Sequence, residues 1–264
     1  MTSTPKQPQG HPTAAAFFDV DNTILRGSSL FHVAMGLMRH RYFGMHEMTG
    51  FALKQVKFVL SGSENLNDMQ SVIAAGLSFV EGKSVAELVS LGDQIFDEHM
   101  IDTLIPGTLA LAQAHLDAGE EVWLVTATPI ELASLIASRL GLTGALGTVA
   151  EVHNGVYTGR LVGPPMHGPA KADAVRALAA EKGFDLRACA AYSDSSNDIP
   201  MLTSVGTPVA VNPDSTLRAY ARTHQWPIHD FRRREQMKRY AWPAAAALTG
   251  AVIGYSMART TRRR

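Results

Sequence analysis

The sequence predicts an α/β protein: a doubly wound, Rossmann-like parallel sheet core with an inserted all-helical cap and a hydrophobic helix at the C-terminus. Three observations carry this. Short apolar runs alternate with helical stretches over much of the 264 residues. Acids, a hydroxyl and a lysine fall at the ends of those runs or at the helix starts that follow, where open α/β sheets bind ligands. Between the first two runs lies a long stretch, 28–103, with helical spacing and no strand alternation.

Taken in order, residues 1–13 read as a disordered tail. Met1 to His11 is polar and rich in Pro and Gln, without the apolar segment of a signal peptide. The core domain is expected over 14–27 and 104–230. Ala14 to Val20 is a short apolar run ending in acids, the pattern of a buried parallel strand. In 28–103, Phe31, Ala34, Met35 and Met38 recur at helical spacing, as do Val85, Leu88, Val89, Ile95 and Phe96. Met35, Met38, Met45 and Met48 fit adaptable core filler in such a cap. Pro106-Gly107 marks the return to the core. A helix to Ala118, a strand from Glu121 ending at Thr126 and a helix to Leu140 follow, with Pro129 expected at the first helical position. Glu151 to Thr158 reads as a hairpin around Asn154-Gly155. A helix over 169–182, a strand over 187–193, a short helix after Ser196 and a strand from Pro208 to Val211 complete the core.

The chemistry is concentrated at four of these ends. Asp19 and Asp21, one residue apart, can divide the labour of phosphoryl transfer, one attacking phosphorus and the other exchanging protons. Alone, the pair could also serve as an N-cap at a strand-to-helix turn, the less favoured reading. Thr126 and Ala127 lie beside a helix start, where a hydroxyl and free N–H groups cradle phosphate. Lys171, in Gly168-Pro169-Ala170-Lys171, sits at another helix start and can neutralise phosphate oxygens. Asp194 and Asp198 follow the strand ending at Ser193 and can complete an oxygen-ligand site for Mg²⁺.

On these residues the chain resembles the haloacid dehalogenase superfamily, in the subclass similar to phosphoserine phosphatase. Asp19, Asp21 and Thr23 match its DxDxT motif, Thr126 its hydroxyl motif, Lys171 its lysine motif, and Asp194 with Asp198 its acidic motif. The resemblance covers about residues 14 to 230. It implies that Asp19 is the phosphorylated nucleophile and Asp21 the general acid/base. It also implies that Asp19, the backbone carbonyl of Asp21 and Asp194 hold Mg²⁺, with Asp198 supporting from behind. Asn197 matches a position near the substrate. Two departures argue against phosphoserine as substrate. Ser28 stands where phosphoserine phosphatases carry a glutamate, and no arginine occurs between Arg41 and Arg139 to clamp a carboxylate from the cap.

The net charge is zero, yet 11 of the 24 basic residues lie from Arg218 onward, against Asp230 and Glu235 alone. The acidic body does not suit a nucleic-acid partner, whereas the basic tail suits an anionic surface. Residues 231–264 read as a basic linker and an anchor helix. Tyr240 to Ala258 is uncharged, roughly 28 Å as a helix, enough to cross a hydrocarbon core. Arginines at both ends and many alanines weigh against spanning, so a peripheral or a packed soluble helix stays open. Gly250 and Gly254 form a small-xxx-small pair that allows close helix approach, and with it a homodimer. The single cysteine, Cys189, suits a reducing cytoplasm. The expectation is a cytoplasmic catalytic domain attached to the inner face of the membrane. It would be a Mg²⁺-dependent phosphomonoester hydrolase whose substrate is a phosphorylated small molecule or lipid head group. A phosphotransferase with the same intermediate, and a membrane-tethered non-catalytic binding module, are the alternatives. Because every motif residue lies at or before Asp198, a chain ending near Asp230 is expected to keep its chemistry.

Overall fold

In the computed structural model the described residues are 13–42, 77 and 80–232. The expected N-terminal tail up to residue 12, the middle of the cap and the 240–258 helix therefore lie outside them. Strand β1 (Ala15–Phe18) is buried along its whole length. Ala15 and Phe17 enter one apolar cluster and Ala16 and Phe18 the other, so the two phenylalanines pin opposite layers to the sheet. Each buried Phe contributes about 1.5–3 kcal/mol of transfer free energy. The remaining strands are β2 (Glu121–Pro129), β3 (Gly144–Thr148), β6 (Ala190–Ser193), β7 (Thr207–Val211) and β8 (Ile228–His229), with the β4–β5 hairpin (Ala150–His153, Val156–Leu161) between β3 and β6 in sequence. The six-stranded sheet has the order β3-β2-β1-β6-β7-β8, parallel throughout. The chain moves from β1 to one side for β2 and β3, then to the other for β6 to β8. The reversal beside β1 is a switch point, where the loops beyond adjacent strands part and leave a crevice.

Several expected boundaries shift. Asp19 and Val20 lie just beyond β1. Strand β2 continues past Thr126 to Pro129, with a register break between Val125 and Pro129. Pro129 is the N-cap, not the first helical residue: its ψ of 139° keeps it extended, and the next helix begins at Ile130. Strand β3 is not predicted by the sequence, because Gly144-Ala145-Leu146-Gly147-Thr148 has one large apolar residue. Its glycines admit close approach instead, since a Cβ on Gly147 would fall 2.7 Å from the Ile130 backbone. The expected helix over 169–182 and the Asn154-Gly155 hairpin are present, both turn residues having positive φ.

Of the expected cap, helix α1 (Ser29–Arg39) and helix α2 (Val85–Ile95) are described. A single π-helical turn (Phe96–Met100) and a 3₁₀ turn (Ile101–Thr103) lead from α2 back to the core. Ser84 caps α2 by accepting from the Glu87 N–H. Helix α3 (Pro106–Asp117) then covers one face of the sheet and helix α4 (Ile130–Arg139) follows β2. The start of α2 is stitched to the hairpin. Gly82 N donates to Tyr157 O (2.9 Å), Tyr157 N to Lys83 O (3.1 Å) and Val85 N to Gly155 O (3.0 Å). Arg139 at the end of α4 adds ion pairs to Asp93 (2.7 Å) and to Asp97. Among the described residues no helix is long and apolar enough to cross a membrane.

Candidate active site

The ends of β1, β2 and β6 and the start of helix α5 (Pro169–Lys182) meet around a cavity of about 240 Å³. Its lining includes Asp19, Asp21, Thr126, Ala127, Lys171, Asp194 and Asp198, so seven of the eight predicted residues converge. Asn197 does not line it. That residue is exposed, and its N–H donates to Ser195 Oγ at 3.2 Å. A wider, more open depression of about 620 Å³ beside Tyr220, His224 and Trp226 holds no carboxylate or lysine, so the chemistry lies in the smaller cavity.

Lys171 is the hinge of the electrostatics. Gly168 precedes its helix at φ +53°, a conformation that favours glycine, and the turn aims the lysine inward. Its Nζ donates to Asp19 Oδ1 (2.6 Å) and to Asp198 Oδ2 (2.7 Å), with all three side chains less than a tenth exposed. Burial works against the charged amine, but the two carboxylates outweigh it and hold Lys171 above its ordinary range. Asp198 is further fixed by the Ser193 hydroxyl at 2.7 Å. Asp19 itself is pushed up by burial and by Asp198, Asp21 and Asp194, against the pull of Lys171. Burial likewise lifts Asp194 to about 7, although Arg232 and Lys171 oppose it.

Asp21 is held differently. Its Oδ1 accepts from the Ser29 backbone N–H (2.8 Å) and the Ser29 hydroxyl (2.6 Å), which leaves Oδ2 free of those bonds. The Thr126 hydroxyl donates to Thr128 (2.9 Å). Thr128 in turn meets Ser29 at 2.5 Å, so a line of hydroxyls runs from the end of β2 to Asp21. Asn22, at φ +55°, turns the chain after Asp21 and accepts from Gly27 N at 3.0 Å.

Ser29, Thr128, Ser193, His167 and Arg232 escaped the sequence reading. His167 lines the cavity, and burial pushes it below the usual range, toward the neutral imidazole. Serine and threonine at such places carry no pattern of their own. Arg232 sits in a run of arginines that reads as a solvated linker, yet Phe231 and Arg232 pack against the core domain.

Among the described residues no three His, Cys, Asp or Glu side chains close on one point as a metal cage. The expected magnesium set needs only two carboxylates, Asp19 and Asp194, with a backbone carbonyl and waters. The donors fit: all are hard oxygens, and four carboxylates, Asp19, Asp21, Asp194 and Asp198, line the cavity beside one lysine, Lys171, an excess of negative charge. A divalent cation would relieve it.

A parallel sheet with paired acids at its switch point, acids at an adjoining strand end, a buried lysine at a helix start and a helical insertion after the first strand define a class. The model of the haloacid dehalogenase-like hydrolases matches residues 16–203, and the chain belongs to that family. It is 54% identical, over 98% of its own length and 83% of the relative's, to the phosphoserine phosphatase SerB1 of Mycobacterium tuberculosis. A Bordetella pertussis protein of unknown function has a similar structure, with a TM-score of 0.74 at 28% identity over 83% of this chain and 99% of that one. The fold is also shared with a phosphoserine phosphatase bearing an analogue of its phospho-aspartyl intermediate, at TM-score 0.55 and 16% identity over 88% and 99% of the two chains.

Proposed function

We propose that this enzyme, a phosphatase of the haloacid dehalogenase-like family, hydrolyses a small phosphomonoester in two steps through a phosphate ester on Asp19. The observation that carries the reading is Lys171 bridging Asp19 and Asp198 in a buried cavity beside the tethered Asp21. Lys171 occupies Asp19 Oδ1, which leaves Oδ2 to attack phosphorus. As the P–O bond to the alcohol breaks, Asp21 gives its proton to the leaving oxygen. Asp21 then takes a proton from water, the water oxygen attacks the Asp19-bound phosphorus, and inorganic phosphate leaves with Asp19 restored. Lys171, the Thr126 hydroxyl and the backbone around Ala127 bind the phosphoryl oxygens. Asp19, the Asp21 carbonyl and Asp194 would hold Mg²⁺, which when bound supplies charge neutralisation at the phosphoryl group. The residues over 28–103 would act as a cap that excludes water from the site and selects the substrate.

Magnesium-dependent release of phosphate from a generic aryl phosphate is the expected result for the full chain. A protein that uses the same fold only for binding releases none, and that outcome would overturn the reading. Adding glycerol or another acceptor alcohol separates hydrolysis from phosphotransfer by the appearance of a new ester.

The named activity of the 54% identical relative favours phosphoserine as a second candidate. Against it stand Ser28 and the lack of any arginine from 42 to 138. Polar recognition of a charged group is worth several orders of magnitude, and its partners are missing here. Across a panel of phosphorylated metabolites and lipid head groups, phosphoserine should therefore be among the weaker substrates. A kcat/KM for phosphoserine near 10⁵ M⁻¹s⁻¹, an ordinary value for a good substrate, would instead assign it.

A further inference from the structure

After β8 the chain folds back over the end of the sheet. The Phe231 ring lies against Gly107, where an added Cβ would fall 2.3 Å from it, and stacks on His229. Asn212, buried and at φ +48°, then serves as a two-sided clasp. Its side-chain oxygen accepts from the N–H groups of Phe231 (2.8 Å) and Arg232 (3.2 Å). Its amide donates to the carbonyl of Asn22, in the loop after Asp21 (3.2 Å). Held there, the Arg232 guanidinium donates through Nη2 to the Asn212 carbonyl and to Asp194 Oδ2 at 3.3 Å.

As a stabilising ion pair this contact is weak, because Arg232 is half exposed and surface pairs contribute little. The place of the arginine, however, does not depend on Asp194. The aromatic anchor, the clasped backbone and the Asn212 carbonyl set it first. A donor fixed in that way defines the plane of the carboxylate it touches. We propose that Arg232 is a positioning residue for Asp194, holding Oδ2 so that Oδ1 is presented to the cation in the cavity. This rests on the reading above in which Asp194 is a magnesium ligand. Groups that orient metal-bound carboxylates typically set metal affinity by 10- to 100-fold when removed.

The test is calorimetric titration of the full-length chain with Mg²⁺ in the absence of substrate, beside thermal melts of each variant. Arg232→Ala should weaken Mg²⁺ binding by about 10-fold or more while melting close to the wild type. Arg232→Lys, which keeps the charge but not the planar fork, should fall between the two and serves if the alanine variant melts early. In aryl phosphate hydrolysis the same variants should need more Mg²⁺ yet approach the wild-type kcat when it is saturating. Unchanged or tighter Mg²⁺ binding in both variants overturns the proposal, tighter binding showing that the arginine competes with the cation. Asp194→Asn separates the two levels. If it binds Mg²⁺ like the wild type, the metal-site reading is wrong and the role of Arg232 falls with it. If it loses binding while the Arg232 variants keep theirs, only the role of Arg232 is wrong.

Discussion

Asp19→Asn should lower turnover on the order of 10⁴-fold or more, the scale that losing a nucleophile has in other hydrolases, while the fold survives. The amide is nearly the same size, but it has no charged oxygen to attack phosphorus. Its effect on stability should be small for an electrostatic reason. Lys171 keeps Asp198 at 2.7 Å, and the repulsion that Asp19 feels from Asp198, Asp21 and Asp194 disappears. In the wild type, brief exposure to substrate and an acid quench should leave alkali-labile phosphate on Asp19, and beryllofluoride should occupy the same position. Wild-type activity in Asp19→Asn would remove the covalent mechanism.

Lys171→Met should be costly in two separable ways. It leaves two buried carboxylates facing each other without the amine between them. Breaking a buried pair by removing one partner costs about 3–5 kcal/mol. At about 2–4 °C per kcal/mol for a chain of this size, the melting temperature of the metal-free protein should fall by roughly 6–20 °C. Loss of the donor from the phosphate site should also lower kcat by about 10²–10³-fold. The double variant Lys171→Met/Asp198→Asn separates the two effects, since removing one carboxylate should restore much of the stability and none of the activity. Equal melting of Lys171→Met and wild type, at full activity, would mean that the triad of charges is incidental.

Much of this arrangement is legible in the sequence because function and fold use the same positions. An apolar run ending in Asp19 announces both the central strand and the proposed nucleophile, and the Gly168-Pro169 pair announces the helix start that delivers Lys171. What escapes notice depends on partners distant in the chain. Ser29 and Thr128 matter only because the fold brings β2 beside the start of α1, and no spacing rule joins residues 99 apart. β3 is hidden by its glycines, which exist for close packing and carry no strand pattern. The C-terminal boundary is hidden by composition: in sequence Arg232 reads like the other arginines of its run, and the clasp at Asn212 is a contact between distant residues. On the role proposed for Arg232, a shortened chain that ends after Arg232 should bind Mg²⁺ more tightly than one ending near Asp230.

The stitching between the β4–β5 hairpin and the start of α2 bears on how the helical insertion can move. An insertion joined to its core by two chain crossings alone can tilt about either. Here a third attachment, of backbone hydrogen bonds, joins the start of α2 to the hairpin, so a tilt of that helix either carries the hairpin with it or breaks those bonds. Three such bonds at about 0.5–1.5 kcal/mol each, with the Arg139 pairs adding little because they are exposed, sum to a few kcal/mol. That is enough for the start of α2 and the hairpin to stay joined most of the time and little enough for the contact to open transiently.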